Sequence, residues 1–249
     1  MARDGAALAD RLAAVQERIA QAAAAAGRDP AAITLVAVTK TQPVAVIAAA
    51  RALGLTAFGE NRVPEALAKF APPAGDPSGA DAPDRVARSG VTLHLIGSLQ
   101  RNKARRAAAF FDLVQSVDRI ALAQDLDRHR ATDAPAAPPL PVLIEVNISG
   151  EPSKTGAPPA TVPALAGALR ACPHLAPRGL MALAAPGLAE PALRRQFAAL
   201  RTLRDQLAAL HPDLPWPDLS MGMSADFEAA IQEGATLIRL GRVLFGERP

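Results

Sequence analysis

The chain has 249 residues, half of them hydrophobic, with a formal net charge of +3, 3% aromatic residues and one cysteine, Cys172. Sparse aromatics and dispersed arginines argue against a nucleic-acid surface, and a lone cysteine excludes an intramolecular disulfide and a cysteine-built metal site. Asp4, Asp10 and Glu17 do not suit a leader peptide, and no apolar run reaches the roughly 18–20 residues of a membrane span, so a cytoplasmic protein is expected.

Residues 6–26 place Leu8, Leu12, Val15 and Ile19 at three- and four-residue steps, which predicts an amphipathic helix stopped by Gly27. The run 33–39 (ITLVAVT) reads as a buried strand, followed by a helix near 43–53. A strand at 55–59 leads to a helix near 62–70, and residues 71–90, rich in Pro, Gly and Asp without periodicity, read as a mobile surface insertion. Strands follow at 91–96, 112–117 and 141–147, with helices near 100–110 and 119–130 and a Pro/Ala linker at 133–139. The last strands are expected at 178–183, 217–221 and 236–240, with helices near 161–171, 190–210 and 225–233. Eight strand–helix units in this length predict a single domain over 1–249, a closed α/β barrel of the (β/α)₈ TIM type with one extra N-terminal helix. No G-x-G-x-x-G follows the first strand, which weighs against a dinucleotide-binding sheet.

A barrel carries its chemistry at the C-terminal ends of its strands. The first strand ends on Lys40, the second on Glu60-Asn61, the fifth on Asn147, the seventh on Ser220-Met-Gly-Met-Ser224 and the eighth on Arg239-Leu-Gly241-Arg242. Ser224 is placed to cap a helix beginning near Ala225, and Gly241 and Gly246 would let backbone amides approach a ligand. A phosphate site is often built by the loops after strands seven and eight, and barrel closure sets strand one beside strand eight. Lys40 would then stand next to that site although about 200 residues separate the two in sequence. An amine, a phosphate cup and a nearby arginine suit a phosphorylated aldehyde, and pyridoxal phosphate meets that description.

AVTKTQP, FGENRVPEALAK, LHLIGSLQRNKA, VNISGEPSKTG and LSMGMSADFEAAIQEGATLIRLGRVLFGER, in this order, resemble the pyridoxal phosphate homeostasis proteins. The resemblance runs from about residue 33 to the last residue. It implies a fold-type III barrel like the N-terminal domain of alanine racemase, with pyridoxal phosphate held as a Schiff base on Lys40. It further implies that Ser224 and the backbone near Gly241 and Arg242 hold the phosphate, that Arg239 meets the pyridine nitrogen and that Asn61 lines the pocket. Lys103 and Lys154 match further family lysines and are read as surface residues. Pro64 stands where the family pattern has glutamine, and the 71–90 and 133–139 segments are longer than that pattern.

Two functions are compatible with such a site. One is a carrier that buffers and delivers pyridoxal phosphate, with apo-enzymes that use the cofactor as clients and an indirect effect on amino-acid and keto-acid balance. The other is an amino-acid racemase or decarboxylase. Racemization on this type of barrel uses the cofactor lysine and a tyrosine from a second domain. The chain has no tyrosine and only a few residues beyond the last strand. A proton donor and acceptor must both reach the substrate, so the expectation is a monomeric, non-catalytic carrier. His94 is expected inside strand three in a packed or hydrogen-bonded role, and His129, His174 and His211 are expected to be exposed.

Overall fold

The computed structural model describes residues 2–71, 85–151 and 154–246. Eight parallel strands close on themselves in sequence order, β1 (Thr34–Val38), β2 (Ala57–Glu60), β3 (Thr92–Leu95), β4 (Leu113–Val117), β5 (Leu140–Val146), β6 (Leu175–Ala182), β7 (Asp218–Ser220) and β8 (Leu237–Leu240). Closure is made by β1 against β8, with Val36 opposite Arg239 and Ala37 opposite Leu240. Between the strands run α2 (Val44–Ala52), α3 (Val63–Lys69), α4 (Ala104–Phe110), α5 (Ile120–Asp133), α6 (Val162–Leu169), α7 (Glu190–Leu210) and α8 (Phe227–Gln232). The expected (β/α)₈ barrel and its extra N-terminal helix α1 (Ala2–Ala25) are therefore present, each strand within a few residues of its expected position. A short α9 (Arg242–Phe245) after β8 was not expected.

Helix α1 lies against the closure. Its stripe of Leu8, Leu12, Val15, Ile19, Ala22 and Ala23 is buried, following the helical spacing. Arginines fasten it to the last βα unit. Arg28, just past its end, donates to Ile231 O (2.6 Å) and Ala235 O (2.8 Å), and Arg11 donates to Leu244 O (2.6 Å). The 71–90 insertion lies mostly outside the described residues, but its two ends meet. Phe70 bridges Val86, with Val86 N donating to Lys69 O at 2.7 Å.

Alternation with period two divides each strand between an outer face under the helices and an inner face in the lumen. Val36, Ala57, Leu113, Leu143, Met181 and Leu237, from six strands, form an apolar cluster separate from the main core. It is the lumen's floor. One step further along the strands the lining becomes polar. His94, Gln115, Glu145, Ser220 and Arg239 are all buried there. Gln115 on β4 and Ser220 on β7 are bonded at 2.6 Å, which non-neighbouring strands achieve only through the lumen.

Cys172 is buried. His211 differs from expectation. It caps the C-terminal end of α7 and is buried, while His129 and His174 are half-buried. No helix among the described residues is long and apolar enough to cross a membrane.

Candidate cofactor-binding site

Barrel closure assembles the mouth. Val38, Lys40 and Gln42 from the β1 exit and Gly241, Arg242 and Gly246 from the β8 exit line one small recess. Among the described residues two cations and no carboxylate line it, a donor set suited to a dianion such as a phosphate monoester. Ser224 lies beside this recess but does not cap α8, which begins two residues later than expected with Asp226 at the cap position. Its Oγ instead accepts from Val243 N at 3.4 Å, tying the β7 exit to the first turn after β8. The β7 exit needs its glycine. Gly222 has φ +94°, and a Cβ there would lie 2.6 Å from the Ala230 side chain.

Arg239 stands below the recess with its side chain sealed in the lumen. Nη1 donates to Ser220 Oγ (2.6 Å) and Nη2 to Ala182 O (2.8 Å), committing two of the five guanidinium donors. Burial pushes its pKa down to about 10, against the opposing pull of Asp226 and Glu145, so it stays a cation at neutral pH. Ser220 in turn donates to Gln115 Oε1 (2.6 Å), which turns the Gln115 amide nitrogen toward His94 Nδ1 at 2.9 Å. That nitrogen can only donate, so Nδ1 is the acceptor and His94 is neutral with its proton on Nε2. Burial acts in the same direction and lowers the His94 pKa to about 4. The chain Arg239–Ser220–Gln115–His94 thus runs one way across the barrel, every donor matched to an acceptor.

Asn61 is separated from the Lys40 recess. It lines a larger cavity of about 480 Å³ at the β2 and β3 exits, together with Arg62, Pro64, Gly97, Ser98 and Lys103. The two exits approach closely, since a Cβ on Gly97 would fall 2.4 Å from Asn61 O. Pro64 occupies the first turn of α3, where its missing N–H costs no helical bond. Lys103 is half-buried in this cavity wall, and Lys154 is exposed. Of the six residues expected to hold the cofactor, Lys40, Gly241 and Arg242 share one recess, Arg239 underlies it, Ser224 braces its rim and Asn61 faces the neighbouring cavity.

A ring of contacts that sequence reasoning did not assemble surrounds the Lys40 backbone. Thr39 Oγ1 donates to Glu60 Oε1 (2.7 Å), and Lys69 Nζ reaches both Glu60 Oε1 (3.0 Å) and Thr39 O (2.7 Å). Burial raises the Glu60 carboxyl, offset in part by Thr39 and Lys69. The one sequence signal for this cluster is the Glu65/Lys69 spacing of one helical turn.

The residues present fit pyridoxal phosphate on three counts: a lysine amine at the recess, the Arg242 cation lining it as well, and a buried cationic donor beneath. The family model for the alanine racemase N-terminal domain matches residues 11–249, in keeping with this barrel. The pyridoxal phosphate homeostasis protein of Pseudomonas aeruginosa is 46% identical over 97% of this chain and 96% of its own length. That of Escherichia coli K12 is 40% identical over 97% of each. Among solved structures, PipY of Synechococcus elongatus with pyridoxal phosphate bound superposes with a TM-score of 0.77 at 36% identity, covering 96% of this chain and all of that one. Fold and site define an alanine racemase-like barrel. Within that class, the chain belongs to the pyridoxal phosphate homeostasis protein family.

Proposed function

We propose that the protein binds pyridoxal phosphate at the Lys40 recess and serves intracellular homeostasis of that cofactor, holding it and releasing it to apo-enzymes that need it. The observation that carries this reading is the meeting of Lys40 with Gly241 and Arg242, brought together by β1 pairing with β8. The cofactor would supply an aldehyde, and Lys40 would hold it through its amine. Arg242 and the glycine-flanked backbone after β8 neutralise and hold the phosphate, and Ser224 keeps the β7 exit against them. Arg239, held as a cation, offers a donor to the pyridine nitrogen and supplies no proton acceptor there. That arrangement anchors the ring and leaves it a poor electron sink.

The non-catalytic reading rests on the missing second base. The chain has no tyrosine. His94, the one histidine in the lumen, is buried, neutral and committed to Gln115. Purified protein given pyridoxal phosphate is expected to turn yellow and to show a visible absorption band that Lys40→Ala abolishes. A wild-type protein without the band, or a variant that keeps it, sinks the assignment of Lys40. Sustained racemization of alanine at the rate of a dedicated racemase would overturn the carrier reading while leaving the binding site intact. We further infer a cytoplasmic monomer, which light scattering on the loaded protein checks.

A further inference from the structure

Lys40 sits at the centre of a tight turn. Gln42 N donates to Thr39 O at 2.9 Å, closing four residues with Lys40 and Thr41 in the middle. Thr41 has φ +65°, and among the described residues no other non-glycine has positive φ. A turn with positive φ at its third residue normally places Gly or Asn there, because a β-branched side chain is disfavoured in that region. Something outside the turn must therefore hold it.

The hold comes from α3. Glu65 Oε1 accepts from Thr41 N at 2.6 Å, and Lys69 Nζ donates to Thr39 O at 2.7 Å, so the backbone on both sides of Lys40 is gripped. Grip and support are one cluster. Lys69 Nζ also donates to Glu65 Oε1 (2.5 Å) and Glu60 Oε1 (3.0 Å), which uses all three protons of its ammonium, and Glu60 accepts from the Thr39 hydroxyl. The Lys69 side chain is 11% exposed and that of Glu60 fully buried. A buried ion pair is poor evidence for stability, because desolvation offsets most of the attraction. Here two of its bonds are directed at the main chain of a single turn, which an ion pair serving only to join α3 to β2 does not require.

We propose that Glu65 and Lys69 are positioning residues for Lys40, holding the Thr39–Gln42 turn in the conformation that presents the amine to the recess. This rests on the reading of Lys40 as the cofactor lysine. A turn left to itself would visit that conformation only part of the time, and apparent affinity falls by the fraction of time lost. Glu65 is the better probe, being partly exposed, so that its loss leaves Lys69 with Glu60 and Thr39.

The test compares Glu65→Ala, Glu65→Gln and Thr41→Gly with wild type in three measurements. These are amide hydrogen exchange at Thr41 in cofactor-free protein, the Kd for pyridoxal phosphate of the folded protein, and the melting temperature. In Glu65→Ala, exchange at Thr41 is expected to accelerate and Kd to rise about tenfold, the loss of one hydrogen bond to a charged group. Glu65→Gln keeps the accepting oxygen and is expected within about twofold of wild type, since the Thr41 N–H still has its partner. Thr41→Gly removes the disfavoured side chain and keeps the backbone N–H that Glu65 grips, so its melting temperature should hold or rise and its Kd should stay at or below the wild-type value. A purely structural role predicts lower melting temperatures with Kd unchanged. Wild-type Kd in Glu65→Ala, with Lys40 loaded, overturns the positioning role alone. Borohydride treatment of wild type separates the other failure. No adduct on Lys40 removes the reading on which the proposal rests, and the positioning role with it.

Discussion

His94 shows what a buried titratable side chain does in this barrel. Its folded pKa of about 4 lies below the ordinary 6.5, so between these values the unfolded chain binds the extra proton. Its neutral form therefore contributes stability that is fully present above pH 6.5 and lost as pH falls through 4, about 3 kcal/mol across the window. Glu60, Glu145 and Asp226 have carboxyls raised by burial and act in the opposite sense. The measure is consequently the difference between wild type and His94→Asn in denaturant melts. That difference should change steadily between pH 6.5 and pH 4 and stay flat above pH 7; a constant offset would show that His94 does not titrate with folding. The same residue marks a limit of reading sequence. That His94 belonged inside strand three was legible from the alternation of VTLHLI, and the structure agrees. Its link through Gln115 and Ser220 to Arg239 was not legible, because it joins four strands through a lumen whose register no local pattern states.

At the scale of elements, the strands were legible because buried parallel strands are continuous apolar runs and the long helices repeat at 3.6 residues. What escaped is short. Helix α9 has four residues, too few for a period, and lies within a stretch that reads as a glycine turn. The start of α8 was misread because Ser224 has the chemistry of a cap, but Asp226 reaches that position and Ser224 is engaged with Val243 across the mouth. Helix α1 was legible as amphipathic, yet its partner was not. The structure puts it over α8 and α9 with Arg28 bonded to two carbonyls at the end of α8 and before β8. Arg28→Ala removes both bonds and leaves acceptors short of partners. It is expected to destabilise the protein by about 2–3 kcal/mol in urea melts, the value for hydrogen bonds from a charged donor. A change below about 0.5 kcal/mol, the range of an inconsequential surface substitution, would mean that α1 is held by its apolar stripe alone.

For the whole molecule, closure is the step that creates the site. Residues about 200 apart in sequence become neighbours only when β8 meets β1, and the lumen then stacks an apolar floor, a polar layer that fixes Arg239, and the recess with Lys40. The meeting of the Lys40 strand end with Gly241 and Arg242 was legible once eight βα units were counted, since strand ends in a closed barrel face one side. Asn61 is the exception. It lines the cavity at the β2 and β3 exits and not the Lys40 recess, a placement set by how the β2 and β3 loops fold over each other. The central claim is that this closure gives Lys40 one chemical task, to hold pyridoxal phosphate. The most direct measurement is to load the protein with pyridoxal phosphate, reduce it with borohydride and locate the adduct by peptide mass mapping. A single pyridoxyl adduct is expected on the peptide containing Lys40, absent in Lys40→Ala; an adduct spread over other lysines, or none in wild type, would rule out Lys40 as the cofactor lysine.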